Sequence, residues 1–272
     1  MKYMQNLHQH CTYCDGKDTP EEVVLGAVKQ GFDSIGFSSH SYMPWSTAYS
    51  WKMEDTGAYR AEINALKAKY KGKLDIYCGV EVEFYSPGDF SGFDFLIGSV
   101  HCLTSPDGEI LPFDRDADTV RKLIHDHFDG DGMKFAKKYY QTLQQLPDRA
   151  NFDILGHFDL ITKHIEKHPF FDVNSKQYRN AAMEALEHLA GKIPYFEVNT
   201  GAISRGYRTT PYPMDFFLAE MKRLGFGAVI TSDCHDIRHL SAGFAVAEEM
   251  LKKAGFTEYY VLKDTGFVPV AF

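Results

Sequence analysis

Residues 19–40 read Thr19-Pro20-Glu21-Glu22-Val23-Val24-Leu25-Gly26-Ala27-Val28-Lys29-Gln30-Gly31-Phe32-Asp33-Ser34-Ile35-Gly36-Phe37-Ser38-Ser39-His40. Thr19 offers the hydroxyl of an N-cap, Pro20 suits the first turn, and Glu21 and Glu22 sit where acids favour the helix dipole. Val23, Val24, Ala27 and Val28 then share one side of a helix that Gly31 stops. Residues 32–39 follow as a short buried strand ending at His40. An earlier extended segment carries His8 and His10, so the opening of the chain spells strand, helix, strand: a βαβ unit with parallel strands.

The alternation continues through apolar segments at 74–83, 93–101, 152–157, 193–199 and 228–232. Helical spacing recurs between and after them, at Ile63, Leu66 and Tyr70, at Phe217, Met221 and Leu224, and at Leu240, Phe244, Ala247 and Leu251. Repeated alternation predicts an α/β protein with a parallel sheet, and about seven units favour closure into a barrel over an open doubly wound sheet. No Gly-x-Gly-x-x-Gly or Walker-type loop follows any of these strands, which argues against a nucleotide-binding open sheet. No repeat, low-complexity tract or linker marks a boundary, so residues 1–272 are expected to form one domain.

The chain has 272 residues, 44% of them hydrophobic and 24% charged, which suits a folded protein with a large core. Its 29 basic and 37 acidic residues give a net charge of −8 with the basic residues scattered, so neither nucleic acid nor an anionic membrane is an expected partner. The start lacks the apolar stretch of a signal peptide, no later run approaches a membrane span, and cytoplasmic localisation is the expectation. Five cysteines, Cys11, Cys14, Cys78, Cys102 and Cys234, suit a reducing compartment. Cys11 and Cys14 have redox-motif spacing but sit among histidines and open no thioredoxin-like helix; Cys11, Cys102 and Cys234 each adjoin a histidine or aspartate at a strand end, point the other way if the chain there is extended, and are read as packing residues.

The chemistry lies in where the polar residues fall. His8, His10, His40, Glu81, His101, His157, Asp233 and His235 all stand at or just past the C-terminal end of an expected strand, the edge that carries active sites in parallel α/β folds. His8 and His10, like Asp233 and His235, are two apart, so in extended chain each pair points to one face and can chelate a metal. The remaining histidines, His125, His127, His164, His168, His188 and His239, fall in helices or loops and are read as solvated. Imidazole and carboxylate without obligatory thiolate suit zinc, manganese, iron or cobalt. With Asp15 added, nine candidates are too many for one ion and fill two or three sites if a carboxylate bridges. Clustered divalent ions are what phosphoryl hydrolysis uses, to activate water and neutralise charge on the attacking and leaving oxygens.

As an ordered set, His8-x-His10, His40, Gly79-Val80-Glu81-Val82-Glu83, Gly98-Ser99-Val100-His101, Leu155-Gly156-His157 and Asp233-x-His235 resemble the polymerase-and-histidinol-phosphatase (PHP) superfamily. Gly156-His157-Phe158-Asp159-Leu160 and Glu197-Val198-Asn199-Thr200-Gly201-Ala202 are most similar to its histidinol-phosphate phosphatase branch. The resemblance implies a distorted TIM-like barrel of seven strand–helix units with a trinuclear metal centre. It also implies that His8, His10, Glu81 and Asp233 hold one ion, that Glu81 bridges to a second held by His101 and His157, and that Asp15, His40 and His235 hold the third. Asp18 lies close enough to compete with Asp15.

The implied activity is hydrolysis of a phosphomonoester, L-histidinol phosphate, as a step of histidine biosynthesis, with Glu81, Asp233, His235 and Arg205 as the catalytic set. Arg205 matches the family's phosphate-binding arginine, with Arg208 as the alternative. A second family arginine is replaced in Ile161-Thr162-Lys163, so Lys163 is left to act as a point charge. Glu83 either contacts substrate or is solvated, and Glu83 and Asp159 are candidate attractors for a cationic substrate. Residues 41–51 contain Tyr42, Trp45 and Trp51 and are expected to wall a pocket for a small organic leaving group or to pack on the rim. Another PHP phosphoesterase, an amidohydrolase-type barrel and a noncatalytic metal-binding module are the alternatives; the sequence leaves the oligomeric state open.

Overall fold

The computed structural model describes residues 1–45 and 55–272. In chain order its strands and principal helices are β1 (Gln5–Asn6), α1 (Pro20–Gln30), β2 (Ser34–Phe37), α2 (Asp55–Lys69), β3 (Asp75–Glu83), β4 (Phe95–Ser99), β5 (Cys102–Thr104), β6 (Ile110–Pro112), α3 (Ala117–His127), α4 (Gly132–Leu143), α5 (Leu146–Arg149), β7 (Ile154–Leu155), α6 (Lys176–Leu189), β8 (Tyr195–Asn199), α7 (Gly201–Ser204), α8 (Asp215–Arg223), β9 (Gly227–Thr231), α9 (Phe244–Lys253), β10 (Glu258–Lys263) and β11 (Gly266–Ala271). The capping box expected at Thr19 forms: the Glu22 amide donates to the Thr19 hydroxyl, and the Thr19 amide donates to the Glu22 carboxylate. Gly31 ends α1 at φ 76°, a left-handed conformation that glycine adopts without steric cost.

Seven strands form one parallel sheet in the order β1-β2-β3-β4-β7-β8-β9. The sheet curls until its edges meet, giving a nearly closed barrel of the expected class. Gln9 and Cys234 form a parallel bridge, the His10 amide donates to the Cys234 carbonyl at 2.9 Å, and Asn6 Nδ2 donates to Ser232 Oγ at 2.8 Å. Regular strand pairing is shorter than the apolar segments suggested, most of all at β7, where residues 152–157 yield two strand residues. Leu240 precedes α9 instead of lying in it, though it is buried among the same residues. Two antiparallel hairpins, β5–β6 and β10–β11, interrupt the alternation.

Side-chain alternation builds the barrel interior in layers. Leu7, Tyr77, Phe95, Ile97, Ile154 and Val229 form an apolar floor, and Leu262 of β10 joins them. Gln5 anchors that hairpin by donating to the Leu262 carbonyl and accepting from its amide. Two residues above Tyr77 on the same face of β3 is Gly79, where a Cβ would lie 2.4 Å from the Phe95 ring; the absent side chain is what lets the ring fill the floor. Two residues further along the same face comes Glu81, so the interior changes from apolar to carboxylate within one strand. The helices bury the larger apolar cluster against the outside of the sheet.

Candidate metal centre

Glu81 lies at the centre of the C-terminal mouth and is fully buried. Its Oε2 is 3.3 Å from His8 Nε2, 3.7 Å from His10 Nε2 and 2.8 Å from His40 Nδ1. Its Oε1 is 3.2 Å from His101 Nε2 and 2.9 Å from His157 Nε2. One carboxylate thus serves two groups of histidines, one at each oxygen, as a bridging ligand must. Asp233 Oδ1 lies 3.2 Å from His10 Nε2 and 3.7 Å from His8 Nε2. Its backbone is left-handed, with φ 46°, a conformation aspartate tolerates better than most residues, and it turns just after β9 into the mouth. Asp15 Oδ1 is 3.2 Å from His235 Nε2 and 3.7 Å from His40 Nε2. Asp18 instead accepts from the Ile237 amide at 2.8 Å.

All nine residues with ligand chemistry therefore converge. Three groups have donor atoms close enough to hold an ion: His8, His10 and Asp233; His40, Glu81 and His101; and His10, Asp15, His40 and His235. The buried atoms His8 Nε2, His10 Nε2 and Glu81 Oε2 make no hydrogen bond among the described residues, although such atoms are costly to leave unmatched. Their nitrogen and oxygen chemistry fits a divalent ion.

The electrostatics are those of a preassembled anionic nest. Burial lowers the pKa of His8, but the carboxylates of Glu197, Glu81 and Asp233 outweigh it and raise it well above the ordinary value; His101 is raised in the same way by Glu81 and Glu83. His10 is lowered to about 3, by burial and then by its neighbours His235 and His40. Against the penalty of burial, the surrounding histidines hold Glu81 well below the carboxylate range, while Arg205 and His8 do so for Asp233.

A cavity of about 1050 Å³ opens over the cluster, lined by Trp45, Asp114, Lys163, Arg205 and Tyr207 among others. Arg205 donates from Nη2 to Asp233 Oδ2 at 2.9 Å, and its Nη1 lies 3.0 Å from His235 Nδ1. Lys163 reaches the cavity but is already held, donating to the Asp114 carbonyl and carboxylate at 2.8 and 2.9 Å with its ammonium over the Tyr207 ring.

Four expected substrate contacts are corrected. Arg208 is buried away from the cavity, donating to Thr162 Oγ1 and pairing with Asp159 Oδ2 at 3.5 Å, so it braces the turn after β7. Asp159 is correspondingly an interior partner and not an acid at the mouth. Glu83 is neither solvated nor in the cavity: its Oε2 accepts from the backbone amide of His101 at 2.6 Å and lies 3.0 Å from His101 Nδ1. Tyr42 packs on the core and its carbonyl accepts from Ser86, while Trp45 does line the cavity. The rest of the aromatic loop, including Trp51, falls outside the described residues. Burial pushes the Cys11 thiol up to about 11 and raises that of Cys14 as well, which disfavours the thiolates that a redox pair would need. Sequence reasoning missed Asp114, for which no spacing signal exists, and the role of Glu197, which stands two residues before Asn199 on one strand face.

Fold and site together define a parallel α/β barrel carrying a multi-ligand histidine–carboxylate centre at its C-terminal mouth. The PHP domain model matches residues 6–201, most of the chain, and the protein belongs to that family. The histidinol-phosphatase of Lactococcus lactis is 28% identical, over 93% of this chain and 91% of its own length. That of Bacillus subtilis is 27% identical, over 84% and 92% respectively. The crystal structure of the Lactococcus lactis histidinol phosphate phosphatase, complexed with zinc, L-histidinol and phosphate, has the same fold, with a TM-score of 0.69 at 21% identity, covering 97% of this chain and 98% of that one.

Proposed function

We propose that the protein is a divalent-metal-dependent phosphomonoesterase that hydrolyses L-histidinol phosphate to L-histidinol and inorganic phosphate. The observation that carries this reading is the sharing of Glu81 between two histidine groups directly beneath a cavity that also presents Arg205. Its relatives over nearly the whole chain are histidinol-phosphatases, and the one crystallised with product and phosphate holds zinc.

His8, His10, Glu81 and Asp233 would hold one ion, Glu81 with His101 and His157 a second, and Asp15, His40 and His235 a third. Divalent ions bound there supply Lewis acidity, acidifying water and offsetting the charge of the phosphoryl oxygens. Arg205, fixed by Asp233, presents a planar fork to the nonbridging oxygens. Lys163 adds a point charge on the cavity wall. Asp114 gives one oxygen to Lys163, while its second accepts no hydrogen bond among the described residues and is free to take the ammonium or imidazolium of histidinol. Lys163 and then His101 hold the Asp114 carboxyl below the ordinary value against the cost of its partial burial. Leu160, Pro112 and Trp45 offer apolar wall to the imidazole carbon framework. The reading extends to the cytoplasm, whose reducing conditions suit a chain with five cysteines, an odd number.

The test is phosphate release from L-histidinol phosphate against sugar phosphates and nucleotides, using zinc-reconstituted protein. Selective turnover of L-histidinol phosphate is the expected result; equal or better turnover of the other esters would move the protein to a different phosphoesterase activity.

A further inference from the structure

Behind His8, on the side away from Glu81 and Asp233, lies a second carboxylate whose bonds are all accounted for. Glu197 is fully buried on β8. Its Oε2 is 2.9 Å from His8 Nδ1 and accepts from Thr231 Oγ1 at 2.6 Å. Its Oε1 accepts from the His157 backbone amide at 2.6 Å and from Asn199 Nδ2 at 2.9 Å. Asn199 cannot reverse its amide at low cost, because its Oδ1 accepts from the Gly201 amide at 2.9 Å. Oε1 therefore faces two groups that can only donate.

We propose that Glu197 is a positioning residue that holds His8 with its proton on Nδ1, so that the Nε2 lone pair points at the metal centre, and that ties this setting to the backbone of His157. The inference rests on the reading above that the cluster holds divalent ions. Its logic is the acceptor inventory. An ionised carboxylate accepts at both oxygens and donates at neither, so the ring nitrogen beside it must carry the proton.

Glu197→Gln tests this with a near-isosteric change. The amide oxygen must stay at the Oε1 position, where both neighbours are donors, which puts the NH2 group against His8 Nδ1. Thr231 can rotate its hydroxyl to accept, but His8 satisfies the new donor only by moving its own proton to Nε2, where it blocks ligation. Glu83→Gln is the contrast. Oε2 of Glu83 takes both bonds from His101, and Oε1 is buried without a hydrogen bond, so an amide oxygen at Oε2 keeps the His101 proton on Nδ1.

Zinc is titrated calorimetrically into the full-length metal-free protein, with thermal melts of each metal-free variant measured in parallel. Glu197→Gln is expected to weaken the tightest zinc binding by about 10–100-fold, the range for lost outer-shell partners, with a clearly smaller loss for Glu83→Gln. Zinc binding unchanged in Glu197→Gln, or weakened equally in both variants, overturns the proposal. Should Glu197→Gln fail to fold, imidazole nitrogen NMR of the zinc-loaded wild type decides alone: a protonated Nδ1 and coordinated Nε2 at His8 are expected, and the reverse tautomer overturns the proposal. Wild-type protein that takes up no zinc overturns the metal reading itself, whereas wild-type binding with an indifferent Glu197→Gln overturns only the role of Glu197.

Discussion

Replacing Arg205 by alanine removes the cavity-lining arginine that donates to Asp233, a ligand candidate of the metal centre. Its Nη2 is 2.9 Å from Asp233 Oδ2 and its Nη1 is 3.0 Å from His235 Nδ1, so the guanidinium plane is fixed before substrate arrives. A fixed fork costs little ordering when phosphate binds and meets two oxygens at once. One hydrogen bond to a charged partner is worth about 1.5–3 kcal/mol, and the fork offers two, part of which water recovers in the variant. A net loss of about 3 kcal/mol corresponds to about 150-fold in kcat/KM. Arg205→Lys keeps the charge without the fork and is expected to lose about tenfold. The assay is steady-state phosphate release from L-histidinol phosphate at saturating zinc, with zinc affinity measured separately because Arg205 also touches two ligands. Arg205→Ala activity within about threefold of wild type would refute the assignment of Arg205 to the phosphoryl group.

Asp114→Asn is expected to raise KM for L-histidinol phosphate about tenfold while leaving kcat/KM for 4-nitrophenyl phosphate, which carries no cation, nearly unchanged; equal effects on both substrates would remove Asp114 from cation recognition. Zinc uptake should release protons at neutral pH: His8, His40 and His101 are raised above the ordinary histidine value, so each gives up a proton on ligation, whereas Glu81 and Asp233 are already ionised. Apparent zinc affinity therefore rises with pH, and calorimetry in buffers of different ionisation enthalpy reads the released protons, with no buffer dependence as the contrary result. Gly79→Ala drives a methyl to within 2.4 Å of Phe95 in the barrel floor and is expected to cost about 1–3 kcal/mol, seen as a lowered Tm; an unchanged Tm would mean that the floor yields.

The barrel and the convergence of its ligands were legible because both are periodic. Strand–helix alternation forces parallel pairing, and residues such as Glu81 and His101 stand where each apolar run stops. What escaped the sequence lies in directions that no period encodes. Glu83 and Glu81 share a strand face, yet Glu83 turns its carboxylate to His101 and away from the cavity. Arg208 stands three residues after Arg205, but the turn after α7 sends it inward to Asp159 while Arg205 points to Asp233. Asp114 comes from the loop after the β5–β6 hairpin, and only the fold brings it to Lys163. The hairpin β10–β11 was missed because its strands follow α9 where another barrel strand would be expected, yet pair antiparallel with each other and join no barrel strand.

The central claim, that Glu81 and the eight side chains around it form a centre on which turnover depends, is tested most directly by titrating zinc into metal-free protein while following phosphate release from L-histidinol phosphate. The account predicts no turnover in metal-free protein, activity that rises to a plateau at two to three equivalents of zinc, and its loss on chelation. Full-rate turnover in metal-free protein would contradict it.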